Sequence, residues 1–532
     1  MLHSESWQGG KKDSGTLTIG LLAAFLLLLT GCHDKERPSK HDLSLDDFSE
    51  LKTNEYALNA LLIKENLEHI SHADHDKAYA ATHIQAYYQQ GGPMVWIDYQ
   101  LADDRADTLL AILAKRLPAI GFTQQQFNLT QIQEDLKRMR TMQFDDANNI
   151  NLVAARLEYN LSKAYLRYVA GQRFGFVNPT YVLNHLEIRK QDAGSRYPTY
   201  WHLYDVNIER PDNHYISEAL AHATHDSLGI YLRQAEPSTA LYEKLQQMLP
   251  QADSSQRKRI LVNMERCRWR DSLKTTPTEK HVIVNVPAFR LWAIAPDSIV
   301  EMRVVCGNVK TKTPLLSSQI SYMQVNPEWM IPMSIIRNEV SPHGGDSAYF
   351  ARNRYYIADR ESGRRLSPES VTPSMLRSGN YRVVQEGGAG NSLGRIVFRF
   401  PNNFSVFLHD TSSPGAFQRD NRGVSHGCVR VQRPFDLAVF MMEKDPDEQL
   451  LDKLRISMGM RPETDWGLEQ LDNLDPEEEY PTLVRTINVS PRIPIYITYY
   501  TIFQTPGGEV QQYPDVYGYD DAIAEALKSY IR

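Results

Sequence analysis

Cysteine is scarce in this chain, and the spacings that usually turn cysteine or histidine into a metal or redox site are absent. The 532 residues hold four cysteines, no Cys-x-x-Cys pair and no His-Glu-x-x-His segment. Zinc fingers, dithiol redox proteins and zinc proteases rely on such spacings, so the sequence gives these classes no support. The formal net charge is −7 and the basic residues are scattered. Electrostatics therefore gives no reason to expect a nucleic acid partner.

Internal repeats and low-complexity tracts are also missing. With 42% hydrophobic and 23% charged residues, the composition is that of a soluble globular protein. The chain is too long for one ordinary core, and its length is typical of about two to four domains. The sequence therefore predicts several folded units that are not built from repeats.

Strongly apolar sequence is confined to residues 17–29, a run that is too short to cross a bilayer comfortably. Lys11 and Lys12 precede it, as in the charged start of a secretory signal peptide. The run ends in Leu-Thr-Gly-Cys, which resembles the lipobox of bacterial lipoproteins. We expect 1–32 to be a lipoprotein signal peptide with lipidation at Cys32, and 33–46 to be a polar tether. A plain secretory signal with an incidental cysteine is the alternative.

These signals predict a periplasmic protein that a lipid on Cys32 anchors to a membrane. Three cysteines then remain, and an odd number leaves at least one thiol free in an exported protein. Cys267 lies in a helical segment and Cys306 at the end of a strand-like one. We expect both to be buried as small apolar side chains, with a disulfide between them as the alternative. Cys428 differs because a glycine and two histidines accompany it.

The hydrophobic period changes once along the chain. From 47 to 272 it is helical, with Leu109, Leu113 and Leu117 on one face, which predicts an all-helical scaffold domain. From 277 to 462 it alternates and is rich in valine and isoleucine, which predicts a mostly antiparallel β domain. The fold class is therefore α+β, with several domains.

Two further segments complete the predicted organisation. A long polar insertion at about 337–394 interrupts the strands, and insertions of this length usually form lids or binding loops. Residues 463–532 begin with an acidic linker, continue with a β segment and end in a helix. We expect that β segment to join the sheet of the preceding domain.

The candidate chemistry lies between His409 and Cys428. Alternation in "FSVFLHD" places His409 at the end of a strand, opening into a polar loop that returns at Cys428. Gly427 permits close backbone approach or a positive φ before the thiol, which suits an oxyanion site made of backbone N–H groups. A protonated thiol needs a base, and His409 or His426 could supply it. Zinc ligation by His409, His426 and Cys428, with Asp410 or His343 as the fourth ligand, is the alternative.

These residues resemble a known family. His409, the loop and Ser-His-Gly-Cys-Val-Arg at 425–430 resemble the signature of the L,D-transpeptidases with a YkuD-type catalytic domain. The resemblance extends to "VNVPAFRLWA", "LGRIVFRFPNNFSVFLHDT" and "RIPIYITYYTIFQ". It is strongest to the larger periplasmic branch, in which a helical scaffold precedes the catalytic domain. That branch often carries a small peptidoglycan-binding module between the two, for which this sequence leaves no room.

The resemblance implies a role for each residue that matches the signature. Cys428 is the nucleophile, His409 is its acid and base, and the backbone carbonyl of Asp410 orients His409. The N–H groups around Gly427 and Cys428 form the oxyanion hole. The residues implied to hold or line the substrate site are Arg430 (a substrate carboxylate), His426 and Ser425 (the pocket), Trp329 (its floor), and Tyr349, Phe350, Tyr355 and Tyr356 (a cap from the insertion).

The resemblance also implies the reaction. Cys428 would take the acyl group of a peptidoglycan stem tetrapeptide, release its terminal D-alanine and pass the acyl group to a neighbouring stem as a 3→3 crosslink. No metal or organic cofactor is needed, and carbapenems are expected to acylate the thiol. An L,D-carboxypeptidase or endopeptidase that sends the same intermediate to water, and a non-catalytic wall-binding lipoprotein, are the alternatives.

Overall fold

The computed structural model describes residues 58–98, 101–102, 104–190, 198–225, 227–273, 279–442, 446–475 and 481–531. The expected signal peptide (1–32), including Cys32, and the expected tether (33–46) lie outside the described residues. Within the described residues, a helical region precedes a β-rich one, which confirms the predicted α+β class.

The helical region is organised around one long central helix. The helices are α1 (Ala60–Ala73), α2 (Tyr79–Gln89), α3 (Asp104–Ala119), α4 (Leu129–Thr141), α5 (Ile150–Phe174), α6 (Pro179–Asn184), α7 (Asn213–Ala223), α8 (Leu228–Gln234), α9 (Ala240–Met248) and α10 (Ser254–Arg268). The Asn149 side chain accepts the Leu152 N–H and so caps α5. Helices α1, α2 and α4 pack against α5. Because neighbours surround it, α5 is buried along almost its whole length.

Short strands interrupt this helical region, contrary to the all-helical prediction. Two small hairpins are formed by β1 (Ile97–Asp98) with β2 (Leu101–Ala102), and by β3 (Ile188–Lys190) with β4 (Thr199–Tyr200). A fifth strand, β5 (Tyr204–Asp205), pairs in parallel with the β-rich domain. A strand of two residues shows no alternation, so the sequence pattern could not reveal it.

The β-rich region is one large mixed sheet. Its strands are β6 (His281–Asn285), β7 (Arg290–Ala295), β8 (Ser298–Gly307), β9 (Leu315–Val325), β14 (Ile396–Arg399), β15 (Leu408–His409), β16 (Gly423–Ser425), β17 (Val429–Val431) and β18 (Thr486–Thr498). The order is β14-β15-β17-β8-β7-β6-β18-β9-β5, and β16 pairs with β8. Because β9 also pairs with β14, the strands from β14 round to β9 close into a ring.

The insertion between β9 and β14 is a small folded unit, which we call the lid (residues 329–385). Its sheet has the order β10 (Trp329–Met330), β13 (Tyr381–Gln385), β11 (Tyr355–Asp359) and β12 (Arg365–Leu366). Its helices are α11 (Met333–Ile335), α12 (Ser347–Arg352) and α13 (Pro373–Ser378), with a π-helical turn at Ile336–Val340. The lid has its own apolar core, separate from the main one. It begins eight residues earlier than the expected boundary at 337.

The C-terminal segment ties the two regions together. It contains α14 (Pro434–Met441), α15 (Glu448–Ser457), α16 (Asp465–Asp472), the hairpin of β19 (Ile502–Gln504) with β20 (Val510–Gln512), and α17 (Tyr519–Leu527). Strand β18 lies inside the sheet, between β6 and β9. Helix α17 returns to α10, where Asp520 pairs with Arg266 at 2.6 Å.

Candidate active site

Strand register places Cys428 and His409 on the same face of the sheet. In the parallel pair β15–β17, Leu408 lies across from Val429 and His409 across from Arg430. Leu408 and Val429 are fully buried in the main core. Alternation then turns His409, Cys428 and Arg430 to the opposite face. Since neighbouring strands are about 4.8 Å apart, the imidazole lies on the strand next to the thiol.

His409 is buried and its tautomer follows from its hydrogen bond. Nδ1 lies 2.5 Å from the backbone oxygen of Asp410. A carbonyl can only accept, so the proton of the neutral ring is on Nδ1 and the lone pair is on Nε2. The Asp410 carboxylate is occupied elsewhere, because it accepts the Arg395 N–H at 2.8 Å. Asp410 therefore acts on His409 through its backbone.

Burial and charge keep His409 neutral. Its pKa falls from the ordinary value of 6.5 to about 4, chiefly because burial disfavours the charged ring and secondly because Arg430 repels it. An imidazole with this pKa is unprotonated, and able to accept a proton, at every pH above about 4.

Cys428 is half-buried and is a thiol at rest. Burial raises the pKa of the thiol, while a hydrogen bond from the Phe407 backbone and then the charges of Arg399 and Arg430 act in the opposite direction. Its Sγ lies 3.9 Å from the backbone oxygen of Ser405. The resting pair is therefore a neutral thiol and a neutral imidazole, and the proton has to move when the sulfur attacks.

The loop before the nucleophile is fixed by its own hydrogen bonds. The Ser425 hydroxyl donates to the Cys428 carbonyl at 2.6 Å and accepts the Gly427 N–H at 3.2 Å. Gly427 has a φ of +114°, which favours glycine at this position. The Gly427 N–H is therefore used inside the loop. In the described part of the chain the Cys428 N–H has no protein acceptor, so it is free to donate to a bound group.

Ser425 is a structural residue of this loop, and not the pocket residue that the resemblance implied. Its side chain is buried and both of its contacts stay within the loop. Residues 423–427 also read Gly-x-Ser-x-Gly, the letters of a serine-hydrolase elbow. That elbow exposes its serine between a strand and a helix, whereas Ser425 ends a strand and faces inward.

A second layer holds the loop from behind. The Thr313 hydroxyl donates to the Gly427 carbonyl at 2.9 Å and accepts the Gly307 N–H at 2.8 Å. The Tyr517 hydroxyl donates to the Gly307 carbonyl and accepts the Thr313 N–H. Tyr517 of the C-terminal segment thus supports Thr313, and Thr313 supports the nucleophile loop.

We expect Thr313→Val to loosen this support. Valine keeps the shape but removes both hydroxyl contacts, which costs about 2–5 kcal/mol of unfolding free energy because buried polar groups lose their partners. Chemical denaturation measures this loss, and iodoacetamide alkylation of Cys428 reports the loosened loop. Thr313→Ser is the matched control because it keeps the hydroxyl. Equal stability of the valine variant and the wild type would contradict this role.

The lid reaches the nucleophile loop through a histidine. His426 Nε2 lies 2.9 Å from Glu339 Oε1 in the lid, and both side chains are exposed. Tyr349 stacks on His343, with ring centres 3.8 Å apart. The charge of Glu339 also contributes, after burial, to the raised pKa of Tyr349 and Tyr355. A carboxylate, two histidines and two tyrosines therefore gather where the lid meets the nucleophile loop.

Of the aromatic residues expected at the substrate, Phe350 lies inside the lid core, whereas Trp329 and Tyr356 are half-buried and also make contacts within or beside the lid. Phe350 is fully buried in the lid core, so it is not available to cap a substrate. Trp329 pairs with Gln385 and packs against that core. Tyr356 donates to the Glu328 carboxylate at 3.2 Å, and the Arg365 guanidinium lies over its ring.

Cys267 and Cys306 do not form the alternative disulfide, and the residues named as possible zinc ligands form no metal-binding group within the described part of the chain. Cys267 and Cys306 are free thiols, and burial raises the pKa of each to about 12. Within the described ranges, no group of three or more His, Cys, Asp or Glu side chains is placed to hold a metal ion. His343 lies against Tyr349 in the lid.

Sequence inspection missed several residues around the site: Arg399, Thr313, Tyr517 and Glu339. Only Arg399 left a local signal, since it is a charged residue at an alternating position in "RIVFRF". The others reach the site through contacts between segments that are distant in the chain.

Comparison with known proteins agrees with this geometry. The family model of the L,D-transpeptidase catalytic domain (YkuD) matches residues 279–456, and that of the scaffold domain matches residues 82–249. A Haemophilus influenzae protein named "Putative L,D-transpeptidase" is 27% identical over 325 residues. The aligned part covers 59% of this chain and 60% of that relative. The chain therefore carries a YkuD-type L,D-transpeptidase catalytic domain at residues 279–456, preceded by a scaffold domain at residues 82–249.

Proposed function

We propose that this protein is a peptidoglycan L,D-transpeptidase that forms 3→3 crosslinks through a thioester on Cys428. The observation that carries the proposal is the pairing of β15 with β17. It turns His409 and Cys428 to one face while Asp410 holds the proton on Nδ1. Nε2 is then the nitrogen available to the thiol. The match to the L,D-transpeptidase catalytic domain supports the same reaction class.

Acylation begins when the Cys428 sulfur attacks the carbonyl of the third residue of a stem tetrapeptide. His409 Nε2 takes the thiol proton as the carbon–sulfur bond forms. The Cys428 N–H stabilises the negative oxygen of the tetrahedral intermediate. When the intermediate collapses, the carbon–nitrogen bond breaks and the histidine protonates the departing amine of D-alanine. A thioester and free D-alanine are the products.

Deacylation reverses the roles. The amine of a neighbouring stem attacks the thioester carbonyl, and His409 accepts the proton that this amine loses. The carbon–sulfur bond then breaks, and the proton returns to the Cys428 sulfur. The energy of the original peptide bond is conserved in the thioester, so the reaction needs no ATP.

Stem peptides are accordingly the proposed substrates, and carbapenems the proposed covalent inhibitors. Members of this family are typically associated with the cell envelope. We propose that this chain acts in the periplasm, on a lipid anchor at Cys32, in cell wall biogenesis. None of the described helices combines the length and the apolar character needed to span a membrane.

The depressed pKa of His409 predicts where activity falls in acid. A protonated imidazole cannot accept the thiol proton, and an ordinary histidine would impose that loss near pH 6.5. Because the pKa of His409 is about 4, activity should persist as the pH falls and be lost only near pH 4. The rate of Cys428 acylation by a carbapenem, measured from about pH 3 to about pH 9, checks this. An acidic limb near pH 6.5 would contradict it.

Product analysis tests the reaction itself. Wild-type protein incubated with stem tetrapeptides should release D-alanine and yield crosslinked dimers. Formation of tripeptide without dimers would mean that the protein hydrolyses the stem and does not transfer it. Formation of neither product would favour a non-catalytic wall-binding protein. The same incubation with Cys428→Ala controls for contaminating activity.

A further inference from the structure

Arg399 lies in the row of side chains that contains the nucleophile. On β14, Val397 pairs with His409, so Arg399 faces the same side of the sheet as the site. Its guanidinium carbon lies 4.3 Å over the ring of Phe407. Phe407 lies across from Cys428, since the next pair in register is Leu408 with Val429. Arg399 is thus two strand spacings, about 10 Å, from Cys428.

Arg399 has no carboxylate partner in the described part of the chain. One terminal nitrogen, Nη2, donates to the neutral amide of Gln324 at 3.1 Å. Its Nε is buried and has no hydrogen-bond partner among the described residues. Arg430, on β17, also carries a buried Nε that has no hydrogen-bond partner among the described residues. Two half-buried arginines, each with a buried Nε, therefore lie near the thiol without a carboxylate partner among the described side chains.

Such an arrangement is costly unless a ligand completes it. Burial lowers the pKa of Arg399, which shows that its charge is poorly solvated. Buried charges are normally paired, and guanidinium groups bind carboxylates through two parallel hydrogen bonds. The titratable groups around Arg399 are Tyr322, across from it on β9, together with Cys428 and His409. No carboxylate is among these groups, so a carboxylate of the substrate is the anion that would complete the arrangement.

We propose that Arg399 is a specificity-determining residue that binds a carboxylate of the donor stem peptide. The proposal rests on the proposed function, because it assumes that a stem acylates Cys428. A tetrapeptide stem offers the terminal carboxylate of D-alanine, and it offers a second carboxylate wherever the third residue is a dicarboxylic diamino acid. Both sources present the same group within a few bonds of the scissile carbonyl.

The test compares wild type, Arg399→Gln and Arg399→Lys on three donors. One donor carries free carboxylates, one is amidated at its C-terminus, and one is amidated at the side-chain carboxyl of the third residue. On the free donor, we expect Arg399→Gln to raise KM about 10- to 100-fold, with less effect on kcat, because a charge-assisted pair is lost. Arg399→Lys keeps the charge and should lose less.

The amidated donors identify the source of the carboxylate. Amidation of the recognised carboxyl should raise KM for the wild type and abolish the difference between wild type and Arg399→Gln. Amidation of the other carboxyl should leave that difference intact. If a variant fails to fold, the KM values of the wild type on the three donors still report carboxylate recognition.

The overturning result is a loss of kcat in Arg399→Gln that is equal on all three donors, together with slower iodoacetamide alkylation of Cys428. Arg399 would then act on the sulfur alone. Equal KM values for wild type and Arg399→Gln on the free donor would also refute the proposal. If no stem peptide acylates the wild type, the proposed function itself is wrong. If stem peptides acylate the wild type and Arg399→Gln has the same KM, only the role of Arg399 is wrong.

Discussion

Replacing Cys428 by alanine is expected to abolish acyl transfer. In the proposed reaction the sulfur is the atom that forms the thioester, and alanine offers no nucleophile in its place. Ser425, the nearest hydroxyl in the sequence, is committed to the Cys428 carbonyl and the Gly427 N–H. We expect D-alanine release to fall at least about 10³-fold, as when an enzyme loses its nucleophile. The carbapenem adduct seen by intact-protein mass spectrometry should disappear completely.

Cys267→Ala provides the matched control. Cys267 is also a free thiol, but burial raises its pKa to about 12 and it packs against the main core. This variant should keep both the carbapenem adduct and D-alanine release. An adduct that survives in Cys428→Ala, or one that is lost in Cys267→Ala, would show that Cys428 is not the nucleophile.

Replacing His409 by glutamine is expected to cost about 10²- to 10⁴-fold in the rate of acylation, the usual contribution of a general base. Glutamine fills most of the volume of the ring but cannot take a proton from the thiol. The raised pKa of Cys428 makes this loss severe at neutral pH, because little thiolate forms without help. Iodoacetamide alkylation should therefore be slow in the variant at neutral pH. It should recover at high pH, where the thiol ionises by itself.

Asp410→Asn separates the backbone of Asp410 from its side chain. The backbone carbonyl that holds His409 Nδ1 remains in this variant, and the amide oxygen can still accept the Arg395 N–H. We expect acylation rates within a few-fold of the wild type. A loss as large as that of His409→Gln would mean that the carboxylate, and not the carbonyl, orients the base. Full activity of His409→Gln at neutral pH would remove the histidine from the mechanism.

The parts of the site that local patterns determine could be predicted from the sequence. Alternation along residues 404–409 turned Leu408 inward and His409 to the other face, and the structure has this arrangement. The Ser-His-Gly-Cys spacing identified the nucleophile candidate without any alignment. The change from helical to alternating period predicted the α+β class, because each period reflects which face of an element is buried.

The parts that depend on pairing between distant segments could not be predicted. Arg399 reaches the site because Val397 pairs with His409, and Thr313 reaches Gly427 across more than one hundred residues of chain. Phe350 and Tyr349 are neighbours in one short helix, so their sequence could not tell which faced the lid core. The insertion looked polar because its apolar residues are spread thinly among charged ones. It nevertheless folds around a core of its own.

Arg399 and Glu339 give the site two poles. Arg399 and Arg430 lie on the sheet near the thiol with no carboxylate partner among the described residues. Glu339 contacts His426 from the lid side. The site therefore carries positive charge on the sheet and a carboxylate on the lid.

The most direct measurement of the central claim is the mass of wild-type protein mixed with a stem tetrapeptide and quenched in acid within the first turnovers. We predict a species heavier than the free protein by the tripeptide minus one water, located by peptide mapping on Cys428 and absent from His409→Gln at the same time point. D-alanine released by the wild type while Cys428 stays unmodified throughout would contradict the account.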